Sequence, residues 1–103
     1  MERIKVVYAL KHEATGKLYI GSTENYHTRK LQHLNRLKHG QHSAKELQAD
    51  FDRYANKNIT FSVLDQINSH QERLKEYEWM KKLKTYDRRY GYNYADPKWP
   101  RKH

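Results

Sequence analysis

The stretch Ile4-Lys5-Val6-Val7-Tyr8-Ala9-Leu10 constrains the fold more than any other part of the chain. It is apolar and rich in β-branched residues, so it reads as a strand. A turn signal, Thr15-Gly16, follows, and Leu18 to Ser22 reads as a second short strand. The pair predicts a hairpin with a longish loop. Gly21 is unusual inside a strand, and it marks either a bulge or a close approach of another backbone.

Helical periodicity takes over after the hairpin. A helix is expected from about Tyr26 to Lys38, with an apolar stripe of Leu31, Leu34 and Leu37 and a left-handed stop at Gly40. Ser43-Ala44-Lys45-Glu46 has the form of a capping box opening a second helix, with Leu47, Phe51 and Tyr54 along one side. Ile59, Phe61, Val63 and Ile67 keep the spacing of a strand with one face inward. A second capping box, Ser69-His70-Gln71-Glu72, opens a third helix reaching about Lys84. Asp87 to Tyr94 is irregular and aromatic. The order β-β-α-α-β-α predicts an α+β fold: a small three-stranded, mainly antiparallel sheet flanked by three helices. With 103 residues the chain suits one domain, read as residues 1–96 with a basic tail at 97–103.

Charge narrows the function. The chain carries 21 Lys and Arg against 12 Asp and Glu, a formal +9, which favours a polyanionic partner. Asn25 to Lys45 holds no acid at all, but holds Arg29, Lys30, Arg36, Lys38 and Lys45 with four histidines. The tail adds Lys98, Arg101 and Lys102, again without an acid. Nine tyrosines and two tryptophans offer stacking surfaces to the same kind of partner. The absence of cysteine excludes disulfides and Cys-ligated zinc, and fits a reducing compartment. No apolar run is long enough for a membrane helix, and the N-terminus lacks the apolar core of a signal peptide. The expectation is a cytoplasmic, monomeric protein with no membrane partner and no small-molecule cofactor.

Glu76 is the most informative single residue. On a helical wheel it falls within an arc made by Tyr77, Trp79, Met80 and Leu83, whereas Glu78 points to the opposite, solvated side. A carboxylate in such an arc needs an ion pair, a proton or a metal ion. Arg29 and His33 share a helix face at the edge of the core. They either solvate the helix or serve as a phosphate clamp and a proton-handling imidazole. Tyr8 and Tyr19, on the two hairpin strands, are either packing residues or chemical groups. His39 and His42 have a metal-like spacing, but Gly40 should break the helix between them.

Val6-Val7-Tyr8, ten residues, and then Tyr19-Ile20-Gly21 resemble the paired elements of the GIY-YIG nucleases, with Val6 in place of the usual first glycine. The resemblance continues through Arg29 with His33, Gly40-Gln41-His42-Ser43, Glu76 with Trp79, and Gly91-Tyr92-Asn93 with Ala95-Asp96. It is closest to the catalytic domain of phage-type intron homing endonucleases and spans residues 4 to 96. It implies a metal-dependent endonuclease that hydrolyses double-stranded DNA in a bacterial or phage-infected cell. Glu76 would hold Mg²⁺ or Mn²⁺, and Arg29 would stabilise the phosphate charge. Tyr8 would be the preferred base, helped by Tyr19, with His33 able to relay a proton. Gly21, His42 and Asn93 would support the site, His42 by touching the phosphate and Asn93 by orienting Glu76 or the backbone. The alternative is a nucleic-acid-binding module that does not cut. A third reading is a small basic RNA- or ribosome-associated protein.

Overall fold

A computed structural model of the chain describes residues 4–94; the predicted tail contacts Lys98, Arg101 and Lys102 and the boundary at 96 lie outside the described residues. Strands β1 (Ile4–His12) and β2 (Lys17–Thr23) form the expected hairpin. They are followed by α1 (Tyr26–Lys38), α2 (Lys45–Arg53), β3 (Ile59–Asn68) and α3 (Glu72–Leu83), which gives the predicted α+β order. The sheet runs β2-β1-β3, with both neighbours antiparallel to β1.

The central position of β1 explains the unbroken apolar run from Val6 to Leu10. Val7, Tyr8, Ala9 and Leu10 are all buried, because both faces of the strand are covered. Val7 and Ala9 pack with Ile20, Ile67 and Met80 of α3. Leu10, on the other face, packs with Leu37 of α1, Ala44, Leu47 of α2 and Tyr92. The sheet is therefore the middle layer, with α3 on one side and α1 and α2 on the other.

Several local expectations are corrected. The even spacing of β3 does not keep one face inward: the pairing with β1 slips between Val7 and Tyr8, so Tyr8 opposes Val63 while Val7 opposes Asp65. Leu64 is the extra residue of this bulge. Ile59 and Phe61 pack on the α1–α2 side and Leu64 and Ile67 on the α3 side. Val63 is left about half exposed.

In α1 the inward face is His33 and Leu37, while Leu31 is 55% exposed. The leucine stripe failed as a guide because a polar ring takes the central inward position. Ser43 does not cap α2. Ala44 stands at that position with no side-chain bond, and the Ala44 N–H donates instead to Nδ1 of His42. Tyr54 ends α2 and is exposed. The second box is displaced by one residue: Asn68 and Gln71 cap a short 3-10 turn, Ser69–Gln71, ahead of α3.

The irregular segment after α3 is tied to the free edge of β2. Leu18 N–H donates to the Tyr90 carbonyl at 3.1 Å, and Tyr92 N–H to the Leu18 carbonyl at 2.9 Å, a parallel bridge. Gly91 permits this approach. A Cβ there would lie 2.3 Å from the Thr85 Cα and 2.4 Å from its carbonyl oxygen. Gly91→Ala is therefore expected to destabilise the domain by roughly 2 kcal/mol or more, since backbone rather than a flexible tip must yield. Gly16→Ala, in open space at φ +74°, should cost only about 1 kcal/mol. Urea unfolding of the two variants measures this; equal midpoints would mean that the Gly91 segment is not held as described.

Candidate active site

β2 is an edge strand, and its outward N–H and carbonyl groups need partners. Asn93 supplies them at Ile20: Oδ1 accepts from the Ile20 N–H at 2.8 Å and Nδ2 donates to its carbonyl at 2.9 Å. Asn93 thus fixes the strand backbone rather than Glu76. Around this edge lies an open cavity of about 530 Å³, lined among others by Tyr8, Tyr19, Gly21, Ser22, Arg29, Glu76 and Asn93. Groups from both faces of the sheet meet there.

Gly21 sits opposite Tyr8 in the ladder. A Cβ at Gly21 would fall 2.5 Å from the Tyr8 hydroxyl oxygen and 2.7 Å from its Cζ. The approach expected at Gly21 is real, but it is made by a side chain rather than a backbone. Through this gap the Tyr8 hydroxyl reaches His33 Nε2 at 2.6 Å. His33 Nδ1 lies 2.7 Å from His42 Nε2, with the two rings stacked.

The protons in this row can be assigned from its far end. The Ala44 N–H can only donate, so His42 Nδ1, 3.0 Å away, carries no proton. Neutral His42 is then protonated on Nε2 and donates to His33 Nδ1. His33 is in turn protonated on Nε2 and donates to the Tyr8 oxygen. Both rings are neutral. Burial, then the proximity of His42, Arg29 and Arg36, pushes His33 down to about 3. Burial and Arg36 push His42 down to about 4. His33 is thus inside the core, not at its edge, and His42 is 2% exposed beneath it.

Burial and the nearby Tyr19 raise the Tyr8 hydroxyl to about 12, opposed by a hydrogen bond and the charge of Arg29. Tyr19 is likewise raised by burial and by Glu76, and its ring edge meets both imidazoles.

Glu76 is half-buried, and its hydrogen-bond partner is the Ser22 hydroxyl. Burial and then Glu72 raise its carboxyl, while Ser22 opposes the shift. Glu72, one turn earlier on α3, shares the Ser22 hydroxyl at 2.7 Å and pairs with Lys5 at 2.6 Å. Ser22, Glu72 and Lys5 are not among the site residues read from the sequence, where Glu72 figures only in a capping box. The four-residue spacing of Glu72 and Glu76 was the available signal; Lys5 and Ser22 become visible only once the strands are paired. Glu78 is exposed and pairs with Lys75 at 3.4 Å. Among the described residues no cluster of three or more His, Cys, Asp or Glu could hold a metal ion; His39 is exposed and bonded to the Asn35 carbonyl. Of the expected nucleic-acid contacts, Arg36, Lys38 and Lys45 are exposed, while Lys30 is half-buried with its ammonium 4.8 Å from the centre of the Tyr26 ring.

The GIY-YIG catalytic domain family model matches residues 4–93. The chain belongs to the GIY-YIG nuclease family. It is 32% identical over 92 residues to intron-associated endonuclease 1 of Enterobacteria phage T4, covering 87% of this chain and 36% of that protein. The chain therefore spans about a third of the length of this relative. Two solved structures of the catalytic domain of the homing endonuclease I-TevI, one of them a mutant, each match with a TM-score of 0.78. Identities are 28% and 29%, over 93% and 89% of this chain and 96% and 99% of the others. Among the described residues no helix is long and apolar enough to cross a membrane.

The buried neutral imidazoles of His33 and His42 make stability depend on pH. The unfolded chain binds protons at these rings near 6.5; the folded chain does so only near 3 and 4. As pH falls below about 6.5 the unfolded state takes up more protons, so stability falls. The expected loss between pH 7 and pH 5 is on the order of 2–4 kcal/mol. His42→Gln should flatten it. Urea midpoints across that range provide the check, and a midpoint independent of pH would contradict the assignment.

Proposed function

We propose that this domain hydrolyses phosphodiester bonds of double-stranded DNA by attack of water, with Mg²⁺ or Mn²⁺ held by Glu76. The observation that carries the reading is the Tyr8 oxygen. It accepts a hydrogen bond from neutral His33 and receives the charge of Arg29, in a cavity that also holds Glu76.

The donor set fits a hard divalent ion. The Glu76 carboxylate beside the Ser22 hydroxyl, with the Lys5-paired Glu72 one turn away, offers only hard oxygen donors in an open cavity and suits a cation that keeps most of its waters. With no cysteine in the chain and oxygen donors lining the cavity beside Glu76, the site favours a hard cation over a softer metal. Such an ion, when bound, supplies Lewis-acid stabilisation of the phosphate and of the leaving oxygen.

The protein's own groups do the rest. Arg29 lines the cavity and would neutralise the equatorial phosphate oxygens. Tyr8 would take the proton of the attacking water as a phenolate. His33 cannot take it directly, because its Nε2 already carries a proton and its Nδ1 is occupied by His42. Its part is to donate toward the Tyr8 oxygen, which favours the charged form. His42 holds the tautomer of His33, as a residue behind a functional histidine commonly does. Tyr19 would place a second hydroxyl near the water, and Asn93 would keep the β2 backbone in register. The exposed cations Arg36, Lys38 and Lys45, with Lys98, Arg101 and Lys102 of the tail, would track the DNA backbone.

Single-turnover cleavage against pH tests this. The phenolate fraction rises tenfold per pH unit below its pKa, so the rate should climb by about that factor per unit through neutral pH. Tyr8→Phe should lose about 10² to 10⁴ in rate and keep the fold. Glu76→Gln should abolish cleavage but not DNA binding, and Glu78→Ala should be nearly silent. Tyr8→Phe cutting at the wild-type rate would remove Tyr8 as the base; a rate that levels off at the ordinary pKa of histidine would point to an imidazole.

A further inference from the structure

The segment that closes the edge of β2 carries more than its structural role requires. Tyr86, Tyr90 and Tyr94 are 44%, 46% and 67% exposed, although Tyr92 between them is buried. Each of the last two stands beside cations. Lys84 Nζ lies 6.0 Å and Arg89 Cζ 5.4 Å from the centre of the Tyr90 ring, and Arg88 Cζ lies 4.9 Å from that of Tyr94.

Tyr94 is the ring that matters for the site, because it lines the cavity that holds Glu76 and Arg29. It is also held in place. Arg88, against its face, donates to the Asn93 carbonyl and to Glu46 of α2 at 3.0 Å. Asn93, its neighbour, is locked to Ile20 by two bonds and to the Thr85 carbonyl by its N–H at 3.1 Å. The segment is therefore a preorganised aromatic and cationic surface at the mouth of the cavity. Packing explains Tyr92, but not a mostly solvated ring braced by a guanidinium.

Rings backed by cations are the usual platform for nucleobases that have left the stack. A closed duplex offers phosphates to the cations but no free base face to the ring. Resting on the nuclease reading above, we propose that Tyr94, braced by Arg88, stacks on a base unpaired beside the scissile phosphate. The domain would thus favour DNA that is locally opened over intact duplex.

The test compares one duplex with the same sequence carrying a short unpaired bubble, both with the fluorescent base 2-aminopurine next to the cut position. Binding is measured with the Glu76→Gln protein and single-turnover cleavage with the wild type. The opened substrate is expected to bind and cut roughly tenfold better, with the probe quenched on binding. Tyr94→Ala should bring that ratio close to one, while Tyr94→Phe, which keeps the ring, should preserve it. Circular dichroism checks folding, which an exposed ring should not affect. A wild-type ratio near one, or a Tyr94→Ala protein that keeps the ratio or loses both rates in proportion, would overturn the proposal. Binding to neither DNA would overturn the nuclease reading instead, and this inference with it.

Discussion

The site rests on the hydroxyl of Tyr8 passing over Gly21 to reach His33. Three requirements meet at that contact. β1 must be central so that Tyr8 is buried and its ring fixed. β2 must present a residue with no side chain opposite it. α1 must turn an imidazole, rather than a leucine, toward the sheet. If any one is changed, the oxygen loses its partner while the fold retains most of its apolar contacts. A single added methyl at Gly21 would collide with the Tyr8 oxygen and ring at under 3 Å, a distance that no ordinary packing absorbs.

The same contact explains how so small a core tolerates the buried pair His33 and His42. A buried polar group is costly unless every donor and acceptor is used. Each ring here gives one hydrogen and takes one, from the Ala44 N–H at one end to the Tyr8 oxygen at the other. The chain is satisfied only while both rings are neutral, and burial above all keeps them so, helped by Arg36 beside both and Arg29 beside His33. Direction is the functional consequence. Every donor in the row points toward Tyr8, whose own proton is left free to face the cavity.

Much of this could be read from the residues. The hairpin, the order of elements and the phase of α3 follow from apolar spacing, and that phase separates Glu76 from Glu78. Charge indicates the kind of partner, and the spaced tyrosines, arginine and glutamate resemble a known family. Other features were hidden for physical reasons. The bulge at Leu64 reverses the faces of β3, and a bulge leaves no trace in residue spacing. His33 looked like an edge residue because an imidazole scores as polar, though it packs as a ring. The capping role of Ser43 failed because α2 starts one residue later, with Ala44 as its N-cap and the Ala44 N–H bonded to His42. Ser22, Glu72 and Lys5 come together only through strand pairing, so no local pattern announces them.

The direction of hydrogen bonding toward Tyr8 is the central claim, and nitrogen NMR of the histidine rings tests it most directly. In uniformly labelled protein near pH 7, the Nε2 atoms of His33 and His42 should show attached protons and the Nδ1 atoms none. Neither ring should become an imidazolium until the pH falls well below 6.5, toward the values near 3 and 4 that burial imposes. In Tyr8→Phe the His33 Nε2 signal should shift, because that hydrogen loses its acceptor. A proton on Nδ1 of His33, or protonation of either ring near the ordinary value of 6.5, would contradict the account.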